Sequence, residues 1–212
     1  MRILITGDSW SQGEWDGLNV DYRVTHRGIE QYLVDDGHDV VNVGQGGYNN
    51  LQALDSVKGH QFDHLIFFFT DPLRQATFED FSTTSPKLIA QQHTDYVVNE
   101  LEKYPQVTLI GGACRVTADT IKYVIPSMSE VIVPGFTDTE YMTSHEWEDH
   151  WKRITNPSQQ FKQEIVDIAD QAGPKYKLRE KRTDSFWPDG YHANRKGIRI
   201  VYDHMLNLWS TS

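Results

Sequence analysis

Gly7-Asp8-Ser9 stands just after the first apolar run of the chain, and Asp189-Gly190-Tyr191-His192 stands twenty residues before its end. Between them the two motifs hold a hydroxyl, an imidazole and a carboxylate. A serine hydroxyl is a weak nucleophile until an imidazole accepts its proton and a carboxylate orients that imidazole. Read separately, each motif has a plainer meaning. Asp8 and Ser9 suit the start of a helix, where free N–H groups need acceptors, and Asp189 and His192 suit a cap or a surface turn. The chemistry requires residues from both ends of the chain to meet, so it depends on the elements that carry them.

Residues 2–6 read as a strand that stops at Gly7, and residues 38–43 as a second strand entering the turn Gly44-Gln45-Gly46-Gly47. Leu65-Ile66-Phe67-Phe68-Phe69 is apolar without alternation, as a central strand buried on both faces requires. Residues 107–110 and 130–133 complete five strands. Helical spacing appears over 25–36, with Ile29, Tyr32 and Leu33 on one side, and over 49–57, with Leu51 and Leu54 turned inward. Residues 86–104 make a longer helix with Pro86 at its start, where a missing N–H is harmless. Segments 159–171 and 194–209 are the last two helices. Strands alternating with helices imply a parallel sheet, right-handed crossovers and helices on both faces. The expectation is an α/β protein, a three-layer α/β/α sandwich on a five-stranded parallel sheet, in a single domain over 1–212. The aromatic and acidic segment 134–156 reads as a lid or a surface insertion.

Composition narrows the function. The chain of 212 residues is long enough for one sizeable core. A formal net charge of −10 argues against a nucleic-acid partner, which needs clustered Lys and Arg, and against an anionic membrane. The single cysteine, Cys114, permits neither an intrachain disulfide nor a cysteine-rich zinc site, and it reads as a small buried residue at a strand end. His145 and His150 are five residues apart, which does not put both on one helical face, so no metal is expected there. Ile3-Leu4-Ile5 is too short for a signal-peptide core, and no apolar run approaches a membrane span. The expected location is the cytoplasm, or the medium after lysis.

In an open parallel sheet, ligands bind beyond the carboxyl ends of the strands. Ser9, Gly47 and Thr70-Asp71-Pro72 each follow a strand and should share that rim, and His192, just before the last helix, can reach it from a loop. At these positions the chain resembles the SGNH hydrolase superfamily, the GDSL esterases and lipases. Gly7-Asp8-Ser9 matches its nucleophile block, and Asn42-Val43-Gly44-Gln45-Gly46-Gly47 matches its second block. Trp187-Pro188-Asp189-Gly190-Tyr191-His192-Ala193-Asn194 matches its last block. The resemblance spans almost the full length and implies the flavodoxin-like SGNH fold, with no cofactor and no metal. It also implies roles. Ser9 is the nucleophile, His192 the general base and acid, and Asp189 the orienting carboxylate. The N–H groups of Ser9 and Gly47 receive the oxyanion, a preorganised donor lowering the barrier by roughly 3–4 kcal/mol. The implied reaction is hydrolysis of a small acyl ester, with a small-molecule or glycan substrate and acetyl on a carbohydrate as the first candidate. Trp10, Trp15 and Trp187 flank the proposed site in sequence, to stack on a sugar or to pack in the core.

The third block departs from the superfamily. Its usual Gly-x-Asn-Asp places an Asn side chain as a third oxyanion donor, whereas this chain reads Phe69-Thr70-Asp71-Pro72-Leu73-Arg74, with Pro72 at the Asn position. Proline supplies neither a side-chain donor nor an N–H. Thr70 and Arg74 are the candidate replacements. An arginine there would favour an anionic substrate, although its commoner use is an ion pair, and Arg115 is a weaker candidate still. A lost donor slows turnover by about 100–1000-fold, so the alternative is an inactive binding or structural protein on the same fold. The opening and the Thr70–Arg74 turn are also similar to uncharacterised phage-encoded members of the superfamily. A nucleotide-binding oxidoreductase fits poorly, because Trp10 fills the place of the glycine that lets backbone approach a pyrophosphate. A flavin-binding flavodoxin would need a phosphate loop richer in Ser and Thr.

Overall fold

Within the first strand, β1 (Arg2–Thr6), Ile3 and Ile5 join one apolar cluster and Leu4 joins another, because successive side chains of a strand face opposite sides. The computed structural model describes residues 1–15, 23–76, 80, 84–112, 114–132, 185 and 192–211. After β1 come a 3₁₀ turn (Ser9–Ser11), β2 (Glu14–Trp15), β3 (Val24–His26), α1 (Ile29–Asp35), β4 (Asp39–Asn42) and α2 (Asn50–Ser56). Then follow β5 (His64–Phe69), α3 (Pro86–Leu101), β6 (Val107–Gly111), β7 (Tyr123–Ile125), α4 (Met128–Ile132) and α5 (Arg195–Ser210).

The main sheet has five strands in the order β4-β1-β5-β6-β7, and every pairing in it is parallel. One face packs Ile3, Ile5, Ile66, Phe68 and Ile110 against Ile29 and Leu33 of α1 and Ile198, Val201 and Met205 of α5. The other packs Leu4, Leu65, Phe67, Phe69 and Leu109 against Ala53 of α2 and Val97 and Leu101 of α3. These are the expected three layers, and β5, the middle strand, is buried at all six positions.

Three local expectations change. Residues 128–132 are helix rather than strand, and the fifth strand is Tyr123–Ile125. The Ser127 hydroxyl accepts from Glu130 N at 3.4 Å, starting a helical turn that buries Met128 and Ile132 together, whereas the β-branched run before it pairs with β6. Leu51 is 42% exposed, because α2 turns Asn50 and Ala53 inward instead. The first helix begins only at Ile29; residues 24–26 are β3, which pairs antiparallel with β2 in a small separate ribbon. Segments 134–156 and 159–171, and Asp189 with its neighbours 186–191, lie outside the described residues.

Candidate active site

The carboxyl end of β1 turns at Gly7, where φ is +145° and a Cβ would stand 2.5 Å from Cβ of Phe68 on β5. No other residue fits so close to a neighbouring strand. Asp8 then caps the 3₁₀ turn, its Oδ1 accepting from Trp10 N at 3.1 Å, and Ser11 Oγ donates back to Asp8 O at 2.7 Å. Trp15 Nε1 donates to Ser9 O at 3.1 Å. Ser9 is thus held on a rigid turn, half-buried.

His192 arrives from the other end of the chain. It lies two residues before Asn194, whose side chain accepts from Lys196 N and Gly197 N and starts α5. Asn194 N in turn donates to Ser185 O at 3.0 Å. This places His192 Nε2 3.0 Å from Ser9 Oγ, with the Trp10 ring 5.4 Å from the imidazole. An imidazole nitrogen at this distance is within reach of the hydroxyl proton.

The second motif is tied to the first. Asn42 Oδ1 accepts from Gly44 N at 3.0 Å, Asn42 Nδ2 donates to Ser11 O at 2.8 Å, and Gln45 N donates to Gly7 O at 3.0 Å. Gly47 is exposed, with φ at +86° and open space where a Cβ would stand. Among the described residues no acceptor takes its N–H.

The third motif is anchored from several sides. The buried Asn50 side chain clamps Thr70, accepting from Thr70 N and donating to Thr70 O, both at 2.9 Å. Asp71 Oδ1 accepts from Leu73 N at 2.9 Å, and His93 Nδ1 donates to Pro72 O at 2.8 Å. Thr70 Oγ1 donates to Asp8 Oδ2 at 2.6 Å, which commits its one hydroxyl hydrogen. Arg74 Nη1 lies 3.1 Å from that same Asp8 Oδ2 and 3.1 Å from Tyr48 O. Asp8 is 1% exposed, so its charge depends on these donors.

Ser9, His192, Gly47, Thr70 and Arg74 therefore sit on loops at one rim, and Ser9 and His192 touch. Arg115, past β6, is paired with Glu130, and Cys114 is buried. Asp8 was read from sequence as a cap and is one; the anchors Asn50, His93 and Trp15 were not singled out as such by sequence. Asn50 had a signal in the Asn49-Asn50 doublet, since one Asn suffices to cap α2 and Asn49 does so. Among the described residues no three His, Cys, Asp or Glu side chains gather as a metal site requires, and no helix is long and apolar enough to cross a membrane.

No family model matches the chain, and no curated protein does either. Solved structures are similar to it over nearly its full length. One is a psychrotrophic esterase from Pseudoalteromonas sp., 14% identical with a TM-score of 0.47, covering 100% of this chain and 99% of that one. Another is an acetyl xylan esterase, 18% identical with a TM-score of 0.45 and the same coverages. A third is a member of the lipolytic G-D-S-L family from Veillonella parvula, 10% identical with a TM-score of 0.47, covering all of both chains.

Proposed function

We propose that this chain is a divergent SGNH serine hydrolase that cleaves a small acyl ester, with acetyl on a carbohydrate as the first substrate to try. The observation that carries this reading is the 3.0 Å contact between Ser9 Oγ and His192 Nε2, made between residues 183 positions apart at the rim where ligands bind in such sheets. Ser9 Oγ attacks the ester carbonyl carbon while His192 Nε2 takes its proton. The carbonyl oxygen, now carrying the charge, is received by the N–H groups of Ser9 and Gly47. Collapse breaks the bond to the alcohol, which leaves with the proton from His192. Water then attacks the acyl-serine with the same imidazole as base, releasing the acid and restoring Ser9. Asp189 is assigned to orient His192 and stabilise its charged form.

One specific observation favours a second reading, a binding or structural protein without turnover. The Thr70 hydroxyl is committed to Asp8 and Pro72 is buried, so neither replaces the third oxyanion donor. Labelling with a phosphonofluoridate, read by intact mass, separates the two. One adduct on wild type and none on Ser9→Ala is the expected result. A folded wild type that takes no adduct would transfer the case to the binding protein.

A further inference from the structure

We infer that Arg74 is a positioning residue that pins the first motif to the second, holding the two remaining oxyanion donors in register where a third is missing. This rests on the hydrolase reading above. One guanidinium nitrogen, Nη1, lies 3.1 Å from Asp8 Oδ2 and 3.1 Å from Tyr48 O. Asp8 immediately precedes Ser9, and Tyr48 immediately follows Gly47. Nη1 carries two hydrogens, one for each acceptor. The arginine therefore bridges the residues next to the two N–H groups that the mechanism needs.

The bridge has a firm base. Arg74 N donates to Asp71 O at 3.2 Å, and the turn that carries it is held by Asn50 through Thr70 and by His93 through Pro72 O. At its far end Asp8 is a buried hub, taking Thr70 Oγ1 and Arg74 on Oδ2 and Trp10 N on Oδ1. The Gly47 turn, in contrast, is exposed, and its strand-end motif is tied to the first further back, by Gln45 N to Gly7 O and Asn42 Nδ2 to Ser11 O. A misplacement of about 1 Å in such a constellation costs about 100-fold in rate. With Pro72 in place of a donor, the chain has less margin for it. Arg74 thus answers the missing Asn by fixing the donors that remain.

Removing Arg74 alone strands the buried Asp8 charge and threatens the fold, so the test uses Asp8→Asn/Arg74→Met beside Asp8→Asn. With its amide oxygen in the place of Oδ2, the substituted side chain accepts from Thr70 in both variants, and from Arg74 in the single one. It carries no charge to be stranded when the arginine goes, and whatever Trp10 N loses is lost in both alike. The expected result is a folded double variant whose phosphonylation rate and kcat fall about 10–100-fold below Asp8→Asn, with KM changed by less than about twofold, because the oxyanion contact is made in the transition state. Arg74→Lys keeps a charge beside Asp8, and with it the fold, but its nitrogen ends one bond short of the place of Nη1, too short to hold both acceptors; a fall of about 3–10-fold is expected there. Wild-type rates in Arg74→Lys, or rates in the double variant equal to those of Asp8→Asn, overturn the clamp alone. A folded wild type that takes no phosphonate overturns the nucleophile reading and the clamp with it.

Discussion

Two imidazole–hydroxyl pairs stand at opposite ends of the same sheet. His192 Nε2 lies 3.0 Å from Ser9 Oγ beyond the carboxyl end of β1. His64 Nε2 lies 2.8 Å from Thr108 Oγ1 near the amino ends of β5 and β6. By distance the two are equals. Their surroundings are opposite. His64 is 2% exposed, covered by the rings of Tyr123 at 5.9 Å and Trp209 at 4.6 Å, and Trp209 Nε1 donates into the Thr108 hydroxyl at 2.9 Å. Burial, partly opposed by a hydrogen bond to Gln106, lowers its pKa to about 4. It is a neutral imidazole sealed by aromatic rings. Ser9 and His192 are half-buried and share their rim with the open N–H of Gly47. A hydroxyl beside an imidazole becomes a candidate for catalysis only where substrate and an oxyanion donor have access.

The sharpest way to break this comparison is to remove each imidazole in turn. His192→Gln should lower the phosphonylation rate of Ser9 by roughly 10⁴-fold or more, as loss of a triad base does, with little change in melting temperature. His64→Gln should leave that rate within about twofold of wild type. If His64→Gln slows labelling as much as His192→Gln, position on the sheet does not separate the two pairs.

A smaller effect distinguishes them by pH. The folded pKa of His64, about 4, lies below the unfolded value near 6.5. Between these values the unfolded chain binds more protons, so stability rises with pH across this window. Its contribution is intact above about 6.5 and is lost as pH falls towards about 4, by on the order of 3 kcal/mol. Urea midpoints of wild type and His64→Gln at several pH values between about 7 and 4 should diverge, with wild type losing more in acid. Parallel pH curves would mean that His64 is not held neutral.

How much of this was visible in the sequence differs between the two ends. The rim was legible because its residues occur in motifs: a strand, a turn glycine and a nucleophile at Gly7-Asp8-Ser9, and an Asp and His three apart before α5. The central strand was legible from Leu65–Phe69, since five apolar residues without alternation fit a strand covered on both faces. The fifth strand was misplaced because residues 130–133 are as apolar as Tyr123–Ile125. What decides between them is the turn at Ser127 and contact with β6, which local pattern does not contain. The same holds for the Arg74 bridge. Arg74 is visible as a charge, but the two acceptors of the bridge lie on other strands' loops, 66 and 26 residues away. His64 and Thr108 belong to no motif and pair only because β5 and β6 are neighbours.

The smallest prediction removes the hydroxyls rather than the imidazoles. Thr108→Val keeps the shape of the side chain but takes the hydroxyl from His64 Nε2 and from Trp209 Nε1. His64, fully enclosed, has no water to turn to, so a buried polar atom loses its partner, at a cost of about 1–3 kcal/mol. Labelling of Ser9 should be unchanged, because the pair lies at the far end of the sheet. Ser9→Ala should do the reverse. Its hydroxyl is half-buried at an open rim, and water can replace it beside His192, so stability should move by no more than about 0.5 kcal/mol while labelling is lost. Equilibrium denaturation and adduct mass on the same two variants test both halves. If Thr108→Val is as stable as wild type, the far pair is a contact without consequence; if Ser9→Ala loses as much stability as Thr108→Val, Ser9 belongs with the structural hydroxyls.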